Sequence, residues 1–359
     1  MNKRSKRLRI AVMVCAAVAV LLLGGLADVG NYLFDFALNP AAPTTMKALM
    51  DADEVDGLDE PAALDEAFAK EAQLWFEREG QHVEHTAEDG VLLSGWRFDA
   101  VGGESEDAAA GVAADDARDA GAASVPDASA ASHASHDYAV VLHGYTASPA
   151  EAAKYGYYFH QRGMHVLMPA ARAHERSEGA YIGMGWPERR DVVGWISDIV
   201  DRDPQARIVL FGISMGGATA MMTAGEADLP RNVVCVIEDC GYASVWDEFA
   251  VQLENVFGLP SFPVLDAANL VCQVRAGWDF KQASAERAVA AARMPMLFIH
   301  GDADTFVPYE MLDRVYVACG SSVKEKLVIP GAPHGGSAAT DPTTYWGTVA
   351  AFLDADFYR

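Results

Sequence analysis

The chain has 359 residues, of which 51% are apolar, so it is long enough to form one large domain or two ordinary domains with well-filled cores. Its 51 acidic and 27 basic side chains give a formal net charge of −24. This balance argues against a nucleic-acid partner, because phosphates require clustered lysine and arginine, and it predicts an acidic surface that keeps the protein soluble.

The N-terminal residues have the pattern of an export signal. Residues 1–9 (MNKRSKRLR) carry basic side chains and no acid, and residues 10–27 follow without any charge. A basic flank stays in the cytoplasm, so the remainder of the chain is expected outside it. We predict a transmembrane signal-anchor at residues 10–27 in the cell membrane, because the apolar run is long for a cleaved signal. The alternative is a secreted protein, cleaved after Gly25-Leu26-Ala27.

Two segments with secondary structure follow. Residues 28–80 are expected to form a helical juxtamembrane segment, since they include the acidic, helix-prone run ALDEAFAKEAQLWFERE. Next come QHVEHT and VLLSGWRF, and the turn residues EDG between them predict an antiparallel hairpin. His82 and His85 lie in its first strand, and we interpret them as ordinary strand residues rather than metal ligands.

Residues 101–137 differ in composition from the rest of the chain. They are rich in alanine and acidic residues and contain no aromatic residue. Such a stretch cannot bury enough apolar surface to offset the entropy lost on ordering, so we predict a disordered insertion. It interrupts a single domain at residues 81–359 and does not separate two domains.

From Tyr138 onward, apolar strands alternate with helical segments. The expected strands are YAVVL, HVLMPA, RIVLFGI, VVCVIED, MPMLFIHG and KEKLVI. Nearly continuous apolar strands that alternate with helices predict an α/β fold, with a mostly parallel central sheet and helices on both faces. Functional side chains are expected at the carboxyl ends of these strands.

The stretch LFGISMGGATA, residues 210–220, places Ser214 between glycines where a strand turns into a helix. Gly212 and Gly216 would let the backbone pass close to itself, which leaves the serine hydroxyl at an exposed apex. The alternative interpretation is a glycine-rich turn with no chemistry, because this short motif also occurs by chance.

Other strand ends carry the groups that an attacking serine requires. A serine hydroxyl needs a base, and the base needs a carboxylate that holds its tautomer. Asp302 and Asp304 follow one strand, and His334 follows the last. Each alone could be a turn or packing residue, but their order and positions predict a triad with Ser214.

These motifs resemble those of the α/β-hydrolases. More closely, the chain is similar to bacterial membrane-anchored or secreted hydrolases related to serine aminopeptidase and prolyl-oligopeptidase-like domains, over residues 81–359 less the insertion. The resemblance rests on LHGYTASP, RAHERSEGAYIGMGWPERRDVVGWI, FGISMGGATAM, FIHGDADTFVPYEM and GAPHG. One departure is RAHERS at Arg172–Ser177, where the family usually reads R-G-H-G-x-S, and we expect this change to affect substrate shape.

The resemblance implies the α/β-hydrolase fold and a role for each site residue. Ser214, Asp304 and His334 would form the catalytic triad, with Asp302 as a turn residue. The backbone N–H groups of Tyr145, which follows His143-Gly144, and of Met215 would form the oxyanion hole. Asp239 is a rival for the acid, since some α/β-hydrolases take theirs from that strand.

Residues 241–293, approximately, would form a short cap over the cleft. Its length predicts small or medium substrates. Its aromatic residues either line an acyl pocket or form the core of the cap; they are Trp246, Phe249, Phe257, Phe262 and Trp278. The cysteines outside the N-terminal segment either pair as disulfides or remain buried thiols; they are Cys235, Cys240, Cys272 and Cys319.

The sequence as a whole predicts an extracytoplasmic serine hydrolase that cleaves carboxylic esters of small or medium acyl groups through an acyl-enzyme, with no cofactor and no metal. A small-molecule ester or short peptide is the expected substrate. The alternatives are a serine aminopeptidase or other short-peptide peptidase, an acyltransferase, and a catalytically silent binding protein on a hydrolase scaffold.

Overall fold

The computed structural model describes residues 24–46, 63–100 and 135–358. Residues 1–9, most of the predicted anchor at 10–27 and nearly all of the predicted insertion at 101–137 lie outside the described residues. Over the described ranges, no helix is both long and apolar enough to span a membrane. The anchor and the insertion therefore stay predictions.

The centre of the protein is an eight-stranded sheet with the strand order β1-β2-β4-β3-β5-β6-β7-β8. The first two strands form the predicted antiparallel hairpin, β2 pairs antiparallel with β4, and all other neighbours are parallel. The mostly parallel sheet predicted from the sequence is confirmed. The strands are β1 (Gln81–Thr86), β2 (Leu92–Phe98), β3 (Asp137–Leu142), β4 (His165–Pro169), β5 (Arg207–Ile213), β6 (Val233–Asp239), β7 (Met296–Gly301) and β8 (Lys324–Ile329).

Helices cover both faces of the sheet. They are α1 (24–38), α2 (Ala63–Glu79), α3 (Ala153–Gln161, after the 3₁₀ turn Ala150–Ala152), α4 (Glu188–Arg202), α5 (Met215–Ala224), α6 (Val245–Phe257), α7 (Ser261–Arg275), α8 (Ala285–Val289), α9 (Glu310–Ala318), α10 (Ser337–Thr340) and α11 (Pro342–Phe352, continued by the π-helical turn Leu353–Phe357).

Alternate side chains of the central strands enter two separate apolar cores. In β5, Ile208 and Leu210 pack into the core shared with α4, α5 and the cap. Val209 and Phe211 point the other way, into the core shared with α2, α3 and α11. Because both faces of β5 are covered, its sequence is a continuous apolar run without alternation.

The two N-terminal helices, α1 and α2, pack on the domain that contains the sheet. In α2, the Trp75 ring stacks on Phe98 of β2 at 3.9 Å between centroids. In α1, Asp35 forms an ion pair of 2.7 Å with Arg275 of α7. The described parts of residues 28–80 are therefore packed against the domain that contains the sheet.

The predicted cap lies between β6 and β7 and consists of α6, α7 and α8. The cysteines are buried free thiols and not disulfides, which was the second of the two interpretations. They are Cys235, Cys240, Cys272 and Cys319.

Candidate active site

Ser214 lies at the sharp turn between β5 and α5. Its backbone has φ of 55° and ψ of −119°, in the positive-φ region that residues other than glycine rarely adopt. Close backbone contacts require the flanking glycines. A Cβ on Gly212 would lie 2.0 Å from the carbonyl oxygen of Gly216, and a Cβ on Gly216 would lie 2.2 Å from that of Leu142. The turn places the Ser214 hydroxyl at the carboxyl end of the sheet, as the motif predicts.

His334 follows β8 and connects the other two residues of the predicted triad. Its Nε2 lies 2.8 Å from Oγ of Ser214, and its Nδ1 lies 2.7 Å from Oδ2 of Asp304. Nδ1–H donates to the carboxylate, because an ionised carboxylate only accepts, and the Nε2 lone pair is then free to accept from the serine hydroxyl. The structure thus brings the three side chains into one line of hydrogen bonds.

Asp304 is buried, and four N–H donors surround its carboxylate. Oδ1 accepts from the backbone N–H groups of Phe306 at 3.0 Å and Val307 at 2.9 Å. Oδ2 accepts from His334 and also from Nε2 of His300 at 3.1 Å. Burial by itself would raise the pKa of Asp304, but the hydrogen bonds and charges of the two histidines outweigh burial and lower the pKa to about 2.

His300 is a site residue that sequence reasoning missed. It is the penultimate residue of β7 and is fully buried, and its Nε2–H is shared between Asp304 and the carbonyl oxygen of Val307 at 3.0 Å. Burial would lower the pKa of His300, but the hydrogen bond to Asp304 and the nearby Glu238 outweigh burial and raise it. The available signal was its spacing, four residues before the predicted acid in HGDAD.

The two other acids considered from the sequence have different partners. Oδ1 of Asp302 accepts from the backbone N–H of Gly331 at 2.6 Å, as expected for a turn residue. Asp239 is fully buried, and its Oδ2 accepts from the Tyr345 hydroxyl at 3.0 Å. His334 forms its carboxylate hydrogen bond with Asp304. Asp239, the rival acid, is therefore not the partner of the histidine.

The loop after β3 lies directly beside Ser214. A Cβ added to Gly144 would lie 3.5 Å from the Cβ of Ser214. His143 anchors this loop, since its Nδ1–H donates to the Gly144 carbonyl at 2.8 Å and its Nε2 accepts from the Ala171 N–H at 3.0 Å. Burial lowers the pKa of His143 to about 3, so it is a neutral bracing residue.

The backbone N–H groups of Tyr145 and Met215 were predicted to form an oxyanion hole. Met215 begins α5, where N–H groups have no partner within the helix. Tyr145 is held by its hydroxyl, which donates to the Ala37 carbonyl of α1 at 2.5 Å. Within residues 24–46, 63–100 and 135–358, neither amide donates to a protein acceptor. Both are thus available to a ligand beside Ser214.

A small, mainly apolar cavity of about 20 Å³ lies in front of Ser214. Its walls come from α1, the β3 loop and the cap, and its polar cap residues are Glu248 and Gln252. The Gln252 amide donates to Oε1 of Glu248 at 2.8 Å. Oε2 of Glu248 is buried and has no hydrogen-bond partner among the described residues. Burial raises the pKa of Glu248 to about 8.

Comparison with known proteins agrees with this geometry. The protein family described as serine aminopeptidase, S33, matches residues 134–250, which include Ser214 and the β3 loop. The chain has the α/β-hydrolase fold. The family match indicates a hydrolase, of esters or peptides.

Among curated proteins, this α/β-hydrolase is 28% identical over 223 residues to the uncharacterized protein YqkD of Bacillus subtilis, which covers 62% of this chain and 72% of YqkD. It is 26% identical over 203 residues to the uncharacterized membrane protein YNL320W of Saccharomyces cerevisiae, which covers 55% of this chain and 63% of that protein.

Among solved structures, the hydrolase is similar to the Pyrococcus furiosus esterase Pf2001, with a TM-score of 0.55, 22% identity, and coverage of 79% of this chain and 94% of the esterase. It is also similar to the acylaminoacyl peptidase of Pyrococcus horikoshii, with a TM-score of 0.51, 16% identity, and coverage of 79% of this chain and 43% of the peptidase. At these identities the likeness concerns the fold.

Among the cap aromatics, Phe249 and Trp278 take the two predicted roles, one at the cavity and one in the core of the cap. Phe249 lines the cavity in front of Ser214, and Phe257 lines a second cavity next to it. Trp278 packs on Phe280 at 5.3 Å between centroids, within the core of the cap. The Trp246 ring lies under the Lys281 ammonium at 4.0 Å, and Phe262 is exposed.

The segment that departs from the family pattern braces the site. Arg172 makes a two-pronged ion pair with Asp191 of α4, at 2.6 and 2.7 Å. His174 accepts from the Thr146 N–H at 3.0 Å and so supports the loop of Tyr145. None of residues 172–177 lines the cavity at Ser214, whereas Met184, farther along the same stretch, does.

Proposed function

We propose that the protein is a serine hydrolase that cleaves carboxylic esters of small or medium acyl groups through an acyl-enzyme. The observation that carries the proposal is the hydrogen-bonded line of Ser214, His334 and Asp304, which opens onto a mainly apolar cavity. A nucleophile, a base and an orienting acid in this arrangement suit acyl transfer. Apolar walls suit the hydrocarbon part of an ester.

In the first step, Ser214 Oγ attacks the ester carbonyl while its proton passes to Nε2 of His334. The Asp304 carboxylate stabilises the imidazolium that forms, because it stays ionised throughout the neutral pH range. The carbonyl oxygen gains negative charge and accepts hydrogen bonds from the N–H groups of Tyr145 and Met215. When the tetrahedral intermediate collapses, the alcohol leaves with the proton from Nε2.

In the second step, a water molecule takes the place of the alcohol. His334 removes its proton as the water oxygen attacks the acyl-enzyme carbonyl, and the same two N–H groups hold the oxyanion. Collapse returns the proton from Nε2 to Ser214 Oγ and releases a carboxylic acid. The proton transfers between Ser214 and His334 use the hydrogen bond that the structure contains. The other transfers join His334 to the leaving alcohol and to the water.

A second candidate function, a serine aminopeptidase, is favoured by Glu248. Its carboxyl is buried in the same cavity as Ser214, and one oxygen lacks a partner among the described residues. An ammonium group at a peptide N-terminus would supply that partner and would favour the ionised carboxylate. The two functions therefore differ in whether Glu248 stays neutral beside an acyl chain or binds a cation.

Three substrates separate these functions. The full chain is assayed with p-nitrophenyl butyrate, with alanine p-nitroanilide and with its N-acetylated form, which lacks the amine. We expect the ester to be cleaved far faster than either anilide. Faster cleavage of the free-amine anilide, with a loss of about 100-fold or more in Glu248→Gln, would instead establish the aminopeptidase, since a lost buried charge pair costs several kcal/mol.

We also propose that the catalytic domain is anchored at the cell membrane and faces away from the cytoplasm. The basic flank at 1–9 and the apolar run at 10–27 support this, as does the similarity to YNL320W, which is a membrane protein. Alkaline phosphatase, which is active only outside the cytoplasm, is fused after Gly80. Active phosphatase in the membrane pellet is expected; activity in the medium indicates cleavage, and inactive phosphatase contradicts export.

A further inference from the structure

Several large apolar side chains are exposed where the cap meets helix α1. Leu259, between α6 and α7, is 37% exposed, and Phe262, in the first turn of α7, is 78% exposed. On α1, Val29 and Tyr32 are 39% and 49% exposed, and the Tyr32 ring lies 6.3 Å from that of Phe257, which ends α6. Single exposed apolar residues are normal, but a group of them marks an interaction surface. We call Val29, Tyr32, Leu259 and Phe262 the apolar rim.

Helix α1 holds one side of the apolar rim against the other by packing along α7. A Cβ added to Gly30 would lie 2.8 Å from the backbone of Ala267, so the two helices approach each other closely there. Farther along both helices, Asp35 pairs with Arg275 at 2.7 Å. Because both contacts advance in the same sense along the chain, the two helices run in the same direction. The first turn of α7, with Phe262, therefore lies toward the N-terminal end of α1.

That end of α1 is also where the apolar run at residues 10–27 stops. The chain is helical from residue 24 to residue 38 without a break. Since a helix rises 1.5 Å per residue, Val29 and Tyr32 lie only about 8 and 12 Å beyond residue 24 along its axis. Tyrosine is enriched at the level of the lipid headgroups, and a phenylalanine ring can enter the adjoining acyl region. The apolar rim thus has the position and the side chains of a membrane contact.

The charges near the apolar rim indicate which lipid surface suits it. The chain has a formal net charge of −24, and two exposed acids, Asp28 and Glu254, lie beside the rim in sequence. An anionic lipid surface would repel these carboxylates. A zwitterionic surface would not, and it leaves the burial of apolar side chains as the driving force.

We propose that the apolar rim rests on a zwitterionic lipid surface, with the Phe262 ring inserted at the boundary between headgroups and acyl chains. This proposal rests on the membrane anchoring proposed above and goes beyond it. An anchor alone ties the chain to the bilayer, whereas a second contact also fixes how the catalytic domain is turned. The cap, which the rim borders, then faces the lipid.

The test places a fluorophore at the rim of the full chain, reconstituted in phosphatidylcholine vesicles. Leu259→Cys is labelled with nitrobenzoxadiazole in a Cys15→Ala background, since the other four cysteines are buried. Val323→Cys is the matched control, because Val323 is 39% exposed and directly precedes β8, at the edge of the sheet opposite Ser214. Spin-labelled phosphatidylcholine should quench the dye at position 259 about twofold or more over position 323, because only position 259 lies in the lipid interface.

A second pair of variants tests the role of the phenylalanine. Phe262→Asp should reduce the quenching at position 259 to the level of the control, because a carboxylate cannot enter the acyl region. Flotation of the chain with the vesicles should not change, since the anchor remains. Val317→Asp is the control, as Val317 is 76% exposed on α9 and lies outside the rim, and it should leave the quenching as it is.

The outcomes separate this contact from the anchor. Equal quenching at positions 259 and 323, in a chain that floats with the vesicles, would overturn the contact and leave the anchor standing. A chain that does not float with the vesicles would overturn both. A blue shift of the dye at position 259 that needs no lipid and grows with protein concentration would assign the rim to a second copy of the chain and so contradict the proposal.

Discussion

Single residues at the site differ in how far the sequence reveals them. Ser214, Asp304 and His334 were predictable, because each lies in a short motif directly after a strand. His300 and Glu248 were not, since they reach the site only through the folding of the β7 loop and the docking of α6. The spacing of His300, four residues before Asp304, was a weak signal, and a glutamate within a helix, such as Glu248, has no distinguishing neighbour in sequence.

At this scale we predict that His300 positions Asp304. In His300→Phe the carboxylate loses one of four donors, and kcat/KM for an ester should fall about tenfold, as for a lost hydrogen bond to a charged group. The acidic limb of the pH profile should move to higher pH, because a carboxylate with fewer donors holds the protonated imidazole more strongly.

The conservative variant His300→Gln, which keeps an N–H donor, should recover part of the activity and return the profile toward that of the wild type. A merely structural role for His300 would lower activity in both variants without moving the acidic limb, and that outcome would refute the assignment.

At the scale of secondary-structure elements, the β5–α5 turn and α1 show what local patterns do and do not predict. The turn was predictable, because the glycines of its motif follow from backbone contacts within a few residues and with β3. The docking of α1 was not, because its partners Arg275, Ile182 and Tyr145 are more than a hundred residues away in the chain.

The turn gives a prediction with a matched control. Gly216→Ala would place a Cβ 2.2 Å from a backbone carbonyl that cannot easily move, so the free energy of unfolding should fall by about 3 kcal/mol or more. Gly347→Ala, in the interior of α11, meets nothing within 4 Å and should raise it by about 0.5–1 kcal/mol. Urea denaturation measures both, and equal effects of the two changes would refute this account of the turn.

At the scale of the whole molecule, buried acids set how stability depends on pH. Burial raises the pKa of Glu188 to about 7 and those of Glu238 and Glu248 to about 8. The folded state therefore keeps protons that the unfolded chain releases near its ordinary value of 4.5. Asp304, with its pKa lowered to about 2, has the opposite effect and stabilises the fold only above acidic pH.

We predict that stability falls as the pH rises from about 5 to about 8. Over this range the folded state binds more protons than the unfolded state, so the free energy of unfolding decreases with pH. Below about pH 4 it should fall again as Asp304 is protonated. Differential scanning calorimetry should give a Tm several degrees higher at pH 5 than at pH 8, with a smaller difference in Glu238→Gln. A Tm that rises steadily from pH 5 to pH 8 would show that these acids are not buried as described.

The central claim, that Ser214 is the nucleophile of an acyl-transfer site, is tested most directly by hydrolysis of p-nitrophenyl butyrate by the full chain and by Ser214→Ala. The substitution removes one hydroxyl and leaves the turn, His334 and the cavity in place. The account predicts a loss in kcat of about 10³-fold or more, together with the loss of fluorophosphonate labelling, because the residues of a triad act as a unit. Ester hydrolysis that persists unchanged in Ser214→Ala, or a wild type that neither hydrolyses the ester nor takes the label, would contradict it.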